Sequence, residues 1–341
     1  MSWRSLLSLI ALAALTACGG GDGSSGTTAG GDDDDDDDTV HVPDTTDTEL
    51  DFPIEPVVEW TLDTFEEESI VYAIPENPTG LMFFFHGTGG DIGNLTQTEY
   101  IVVINAMYSA GIGFVATNST DRSPPIKWDL STANPEQNED FPRLYRLWEH
   151  MVDTTDVSAN TPLFAIGFSN GGGYATLFGE AALTSGMPFR AASSHNSGLW
   201  GFGATVPFPV IFVMSENDGE VNTAQAQADV DRMLEAGQEA VLYEHTEFTL
   251  DPLYFTRISS FYDDETSRAT FDEVVAFGMV AEDGTRVVPI DDADKALNRF
   301  PDSSEAPSPL KVTAQLRVVW AMHRFAGTFY NEERRFFVDA L

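Results

Sequence analysis

The chain has a single cysteine, Cys18, in 341 residues. One thiol closes no disulfide within the chain and provides no cysteine cluster for zinc or an iron–sulfur centre. Basic residues are also scarce. Seventeen Lys and Arg stand against 55 Asp and Glu, for a formal charge of −38. Phosphate backbones are bound by clustered Lys and Arg, so nucleic acid is excluded as a partner. The acidity itself speaks to solvation and not to chemistry. The six histidines are scattered, with no metal-ligand spacing. No G-x-G-x-x-G follows the first strand-like run, which removes dinucleotide binding. No fixed-period repeat is present. These absences lead to an expectation of neither metal nor cofactor.

Hydrophobic residues make up 42% of the chain and aromatic residues 11%, enough for a sizeable core. They are unevenly placed. Arg4 precedes an apolar run from Leu6 to Leu15, too short to span a bilayer and of the length of a secretory h-region. It ends in Leu15-Thr16-Ala17-Cys18, which resembles the bacterial lipobox. That resemblance implies a signal peptide over 1–17, lipidation of Cys18 and attachment to a membrane surface through the acyl chains. Gly19 follows instead of Asp, which in such lipoproteins implies the outer membrane or cell surface. Residues 18–50 read as a tether, Gly/Ser/Thr-rich up to Gly31 and then an unbroken Asp32–Asp38 run. Neither part buries enough apolar surface to offset its ordering entropy.

From residue 51 onward, strand-like and helix-like stretches alternate, which predicts a mostly parallel sheet covered by helices. Residues 57–75 suit an edge hairpin. Strands are expected at 81–87, 111–119, 162–169, 189–197, 209–218 and 239–248, several of them continuously apolar, as strands buried on both faces are. Helical spacing marks Phe141–Thr154, Thr223–Ala236 and a run from Tyr174. The segment 250–310 breaks the alternation and reads as an insertion. It holds a helix around Thr266–Phe277, a turn at Glu282-Asp283-Gly284 and a polar, Pro-containing stretch near 300–309.

The sharpest chemical signal is Gly167-Phe168-Ser169-Asn170-Gly171 at a strand-to-helix junction. A serine displayed on so tight a turn has a strained backbone, and small neighbours two residues away relieve the collisions. Upstream, an apolar strand runs into His86-Gly87-Thr88-Gly89-Gly90, a loop that can set a backbone N–H beside the nucleophile. The expected oxyanion donors are the amides of Thr88 and Asn170. Downstream, a buried strand ends at Asp218, whose carboxylate can orient an imidazole. Glu216 and Glu220 are its rivals.

In this order, HGTGG, GFSNG and SENDGEV resemble the α/β-hydrolase superfamily, nearest the secreted polyhydroxybutyrate-depolymerase and feruloyl-esterase-like group. The resemblance covers about 70–250 and the carboxyl-terminal stretch. It implies an α/β-hydrolase fold over 51–341, with 250–310 inserted between the last strand and the histidine loop. It further implies a serine esterase acting through an acyl-enzyme on Ser169, with polyester or polysaccharide-linked esters as candidate substrates. A serine peptidase on the same fold, or a non-catalytic surface-binding module, are the alternatives. The family order of serine, acid, histidine points to His323, ahead of a final helix capped by Asn331, over His245 or His195. Trp128 and His195 are candidate pocket-lining residues, and Phe255, Phe261 and Phe271 form either a cap over the site or the insertion's own core.

Overall fold

The computed structural model describes residues 52–201, 205–302 and 304–341. The chain divides into two units, Met1–Thr39 and Val40–Leu341, and every described residue lies in the second. The signal-peptide, lipidation and tether expectations, Cys18 among them, fall outside the described residues. No helix among the described residues is long and apolar enough to cross a membrane.

Eight strands form one sheet: β1 (Thr61–Phe65), β2 (Glu68–Ala73), β3 (Gly80–Phe85), β4 (Ile112–Thr117), β5 (Leu163–Phe168), β6 (Phe189–His195), β7 (Val210–Ser215) and β8 (Ala240–His245). Their spatial order is β1-β2-β4-β3-β5-β6-β7-β8. The β1–β2 hairpin is antiparallel and β2 pairs antiparallel with β4. Every pairing from β4 to β8 is parallel. This is the mostly parallel sheet with helices on both faces expected from the sequence, and the strands fall where the apolar runs placed them.

The alternation of strand side chains explains why those runs are continuously apolar. In β3, Leu81, Phe83 and Phe85 enter the core on one face, while Met82 and Phe84 enter the core on the other. The first face is covered by α2 (Phe141–Thr154), α3 (Asn170–Thr184) and α4 (Thr223–Glu235), through Leu144, Leu147, Leu177, Val230 and Met233. The second is covered by α1 (Thr98–Ser109) and the last helix, α8 (Tyr330–Asp339). Helix α1 has no amphipathic stripe to betray it. Its Tyr100-to-Met107 run is buried on every side, so its sequence gives none of the polar/apolar spacing of a surface helix. Asn331 lies inside α8, whose first residue is Tyr330, and does not cap it.

The insertion carries α5 (Asp264–Ala276) and α6 (Ile290–Arg299) and returns through α7 (Pro309–Val319) to the segment that bears His323. It has a hydrophobic core of its own, which takes up Phe255 and Phe271. Phe261 stands 86% exposed and belongs to no core. The insertion is fastened to the sheet's carboxyl edge by buried polar bonds. Glu99, in the first turn of α1, accepts from Arg257 (2.9 Å), Gln315 (3.3 Å) and the Gly327 amide (2.8 Å). The Thr98 hydroxyl donates to the Arg257 carbonyl, and the Arg257 guanidinium lies 4.7 Å over the Tyr254 ring. With its charge paired in the interior, Arg257 is held as the cation despite its burial. This is a docked element and not a loose flap.

Because Glu99 answers a buried guanidinium, its removal strands that charge. Glu99→Ala is expected to cost about 3–5 kcal/mol in denaturant unfolding, several times the loss from the exposed Arg146–Glu66 pair.

Candidate active site

Ser169 follows the last residue of β5 and precedes the first of α3, with φ 54° and ψ −124°. Side chains avoid this backbone, and it is reached only because the chain turns from strand to helix with no intervening loop. Its amide donates to the His195 carbonyl at 2.8 Å, which ties the turn to the neighbouring strand. The flanking glycines are a steric necessity. A Cβ on Gly167 would lie 2.0 Å from the Gly171 carbonyl oxygen, and one on Gly171 2.3 Å from that of Phe85. The amino end of α3 starts at the serine, with the Gly172 and Gly173 amides donating to the Ser169 carbonyl (2.8 and 3.2 Å).

The His86–Gly90 loop packs beside this elbow. His86 is buried, its Nδ1 donating to the Gly87 carbonyl (2.8 Å) and its Nε2 accepting from the Ser119 amide (3.2 Å). Desolvation lowers its pKa, and with both nitrogens so engaged it serves as a neutral strut of the loop. Trp128 is fully buried behind the loop, donating from Nε1 to the His86 carbonyl (3.0 Å) and stacking on Tyr174. The Asn170 side chain grips the same residue from both sides, accepting from its amide (2.7 Å) and donating to its carbonyl (3.2 Å). Among the described residues, the backbone N–H groups of Thr88 and Asn170 have no acceptor.

Asp218 lies past β7 with its side chain 1% exposed. One carboxylate oxygen accepts from the amides of Glu220 (2.8 Å) and Val221 (2.9 Å), and the other meets His323 Nδ1 at 2.7 Å. The His323 ring is 17% exposed and packs on Phe168, the neighbour of Ser169, at 4.8 Å. An imidazole whose Nδ1–H is held by a carboxylate presents a basic Nε2. That nitrogen stands 3.5 Å from Glu220, whose side chain is 71% exposed. Glu216 is occupied elsewhere, accepting from the Glu247 amide.

The other histidines are committed to the scaffold. His245 is fully buried at the end of β8, with Nε2 donating to the Val318 carbonyl (2.7 Å) and Nδ1 facing the Thr328 hydroxyl (3.1 Å). His195 is also buried, its Nε2 2.8 Å from Glu333 and its ring stacked on Phe325. Trp128 and His195, expected to line a substrate pocket, are therefore packed behind the site. Their large apolar faces are stacked inside the protein, leaving nothing for a substrate to touch. Sequence reasoning passed over Glu99 and Glu333, two buried acids inside helices whose only signal is a charge on an otherwise buried face.

No group of three His, Cys, Asp or Glu able to hold a metal occurs among the described residues. A cavity of about 410 Å³ opens at the opposite, amino-terminal edge of the sheet, between Phe189, Phe208 and Phe336. Its lining includes neither Ser169 nor His323.

No protein-family model matches the chain, and no curated protein matches it in sequence. Solved structures do. An arylesterase is 14% identical, with 56% of this chain and 77% of that one covered at a TM-score of 0.41. The carboxylesterase of Bacillus cereus is 12% identical over 52% and 85% (TM-score 0.40). An esterase of Pyrobaculum calidifontis is 12% identical over 64% and 85% (TM-score 0.43).

Burial lowers the pKa of both His245 and His86 below the ordinary value of 6.5. Below that value the unfolded chain binds protons that the folded one refuses, so stability falls as pH drops. Each buried imidazole costs up to about 1.4 kcal/mol per pH unit until its folded pKa is passed. Denaturant unfolding between pH 7 and 5 should show this slope, and His245→Gln should flatten it.

Proposed function

We propose that the protein is a serine hydrolase that cleaves carboxylic esters through an acyl-enzyme on Ser169. The observation that carries this reading is the 2.7 Å contact of His323 with Asp218, set against the Phe168–Ser169 turn. The packing of the His323 ring on Phe168, next to Ser169, together with its bond to the buried Asp218, supports a serine, a base and an acid acting together.

In this reading Asp218 holds the Nδ1–H of His323, which fixes the tautomer and leaves Nε2 to take the Ser169 proton. Ser169 Oγ attacks the ester carbonyl. The unpaired amides of Thr88 and Asn170 donate to the oxyanion as it develops, an interaction stronger in the transition state than in the bound ester. His323 then protonates the leaving alcohol. A water, activated by the same nitrogen, releases the acid and restores the serine. Catalysis needs no group beyond these side chains and amides. The sequence features outside the described residues support a cell-surface setting, with Cys18 lipidated, 18–50 as a spacer and polymeric or surface-bound esters as substrates.

Turnover of p-nitrophenyl esters by the full chain, beside a peptide anilide, tests the reading. Ser169→Ala and His323→Ala should each lose on the order of 10⁴-fold or more in kcat, and Asp218→Asn about 10⁴-fold. His245→Ala, if folded, should keep its turnover. Labelling of Ser169 by a fluorophosphonate should vanish in Ser169→Ala. Cleavage of the anilide in preference to the esters would make the protein a peptidase. Inertness to both substrates and to the fluorophosphonate would leave only a binding role.

A further inference from the structure

We propose that Asn196 is a positioning residue, whose side-chain amide fixes His323 relative to Asp218 and Ser169. The inference rests on the triad reading above.

His195 ends β6 and Asn196 follows it; β6 is the strand between the one that delivers Ser169 and the one that leads to Asp218. The pair touches all three chemistry-bearing segments. The His195 carbonyl accepts the Ser169 amide at 2.8 Å. The Asn196 side chain accepts from the Ser215 amide (2.8 Å) and donates to the Ser215 hydroxyl (3.0 Å), at the end of the acid's strand. It also donates to the carbonyl of Arg324 (2.8 Å), the residue directly after His323. The Asn196 amide anchors the joint from below, on the Val213 carbonyl at 2.8 Å.

Only a carboxamide suits this position. Two bonds use the NH₂ group and one uses the oxygen, so a carboxylate would set an acceptor against the Arg324 carbonyl and a hydroxyl could not span the three partners. The backbone imposes a second demand, since φ is 47°, a left-handed conformation that Asn tolerates better than most side chains. The residue is 1% exposed, so the three bonds work in a dry interior, where water cannot replace a lost partner.

Other contacts on the histidine segment are either less directional or further from the ring. Phe325 is stacked between Tyr100 (4.0 Å) and His195 (4.1 Å), a sandwich that blocks tilting and still lets the segment slide in its own plane. Gly327 is tied to Glu99 further along. Asn217 holds the approach, through its amide on the Ala321 carbonyl and its side chain on that of Trp320. Between these anchors, the Asn196–Arg324 bond is the one adjacent to the reacting ring.

Two variants test this. Asn196→Asp keeps size and left-handed tolerance and removes the donors. Asn196→Gly keeps backbone freedom and removes the side chain. Each is read by kcat and KM on a p-nitrophenyl ester and by the low-field proton resonance of the His323 Nδ1–H, assigned by its loss in His323→Ala. Both variants should lose between about 10- and 100-fold in kcat with KM within about two-fold, and in Asn196→Gly the resonance should shift or broaden. Val230→Ala, a core truncation remote from the site, controls for lost stability and should change neither readout. Folded variants with unchanged kcat and resonance, or changes matched by Val230→Ala, overturn the proposal. If the wild type turns over no ester, the resonance decides alone. Its movement in Asn196→Gly upholds the positioning role while the hydrolase reading falls, and its constancy overturns the role.

Discussion

The serine's backbone is the constraint to which the rest of the structure answers. At φ 54° and ψ −124°, Ser169 occupies a conformation that costs on the order of 1–3 kcal/mol. It persists because the turn is over-determined. Strand β5 holds one side in the middle of an eight-stranded sheet, α3 holds the other, and the Ser169 amide is bonded across to β6. The two glycines carry the same message sterically, since the chain passes so close to itself and to the end of β3 that no methyl fits. A central strand flanked by parallel neighbours can bear such strain, whereas an edge strand would relax it.

The same edge of the sheet concentrates buried polarity. Glu99 with Arg257, Glu333 with His195 and Asn196 with Arg324 lie within or beside the segments that carry the candidate chemistry. Buried polar and charged groups of this kind are poor contributors to stability relative to packed apolar side chains. Their directionality is what an apolar core lacks. A stacked ring tolerates sliding, while a three-partner carboxamide or a carboxylate shared by a guanidinium and a peptide N–H does not. The interior of the sheet is thus apolar, and its carboxyl edge is wired.

The sequence made the strands legible because each is short, apolar on both faces and bounded by turns, a pattern that local chemistry dictates. Helices α2 and α4 were legible from their polar stripes, while α1 was not, being buried all round. The serine elbow could be read from five residues because its glycines are needed locally. Asp218 was favoured from its place at the end of an apolar run, and the structure sets its carboxylate on His323. His323 needed the family order as well, since its place ahead of the final helix and that of His245 within a strand are weak local signals. What separates the two is tertiary: a carbonyl and a hydroxyl confront His245, and a carboxylate confronts His323. Trp128 shows the reverse limit, because an aromatic in a loop reads as a pocket wall until its neighbours are seen to enclose it.

The insertion between β8 and the histidine segment has a consequence for the order in which the molecule comes together. His323 meets an acid 105 positions earlier, and Gly327 meets a carboxylate 228 positions earlier. Closures over such separations are slow, because the chain gives up loop entropy before any contact compensates it. The elbow, joined to strands nearby in sequence, can form while the chain is still being made. His323 lies just ahead of α8, so in the proposed reading a partly emerged chain displays a strained serine before the base that would act on it. On that reading, reactivity is the last property the folding chain acquires.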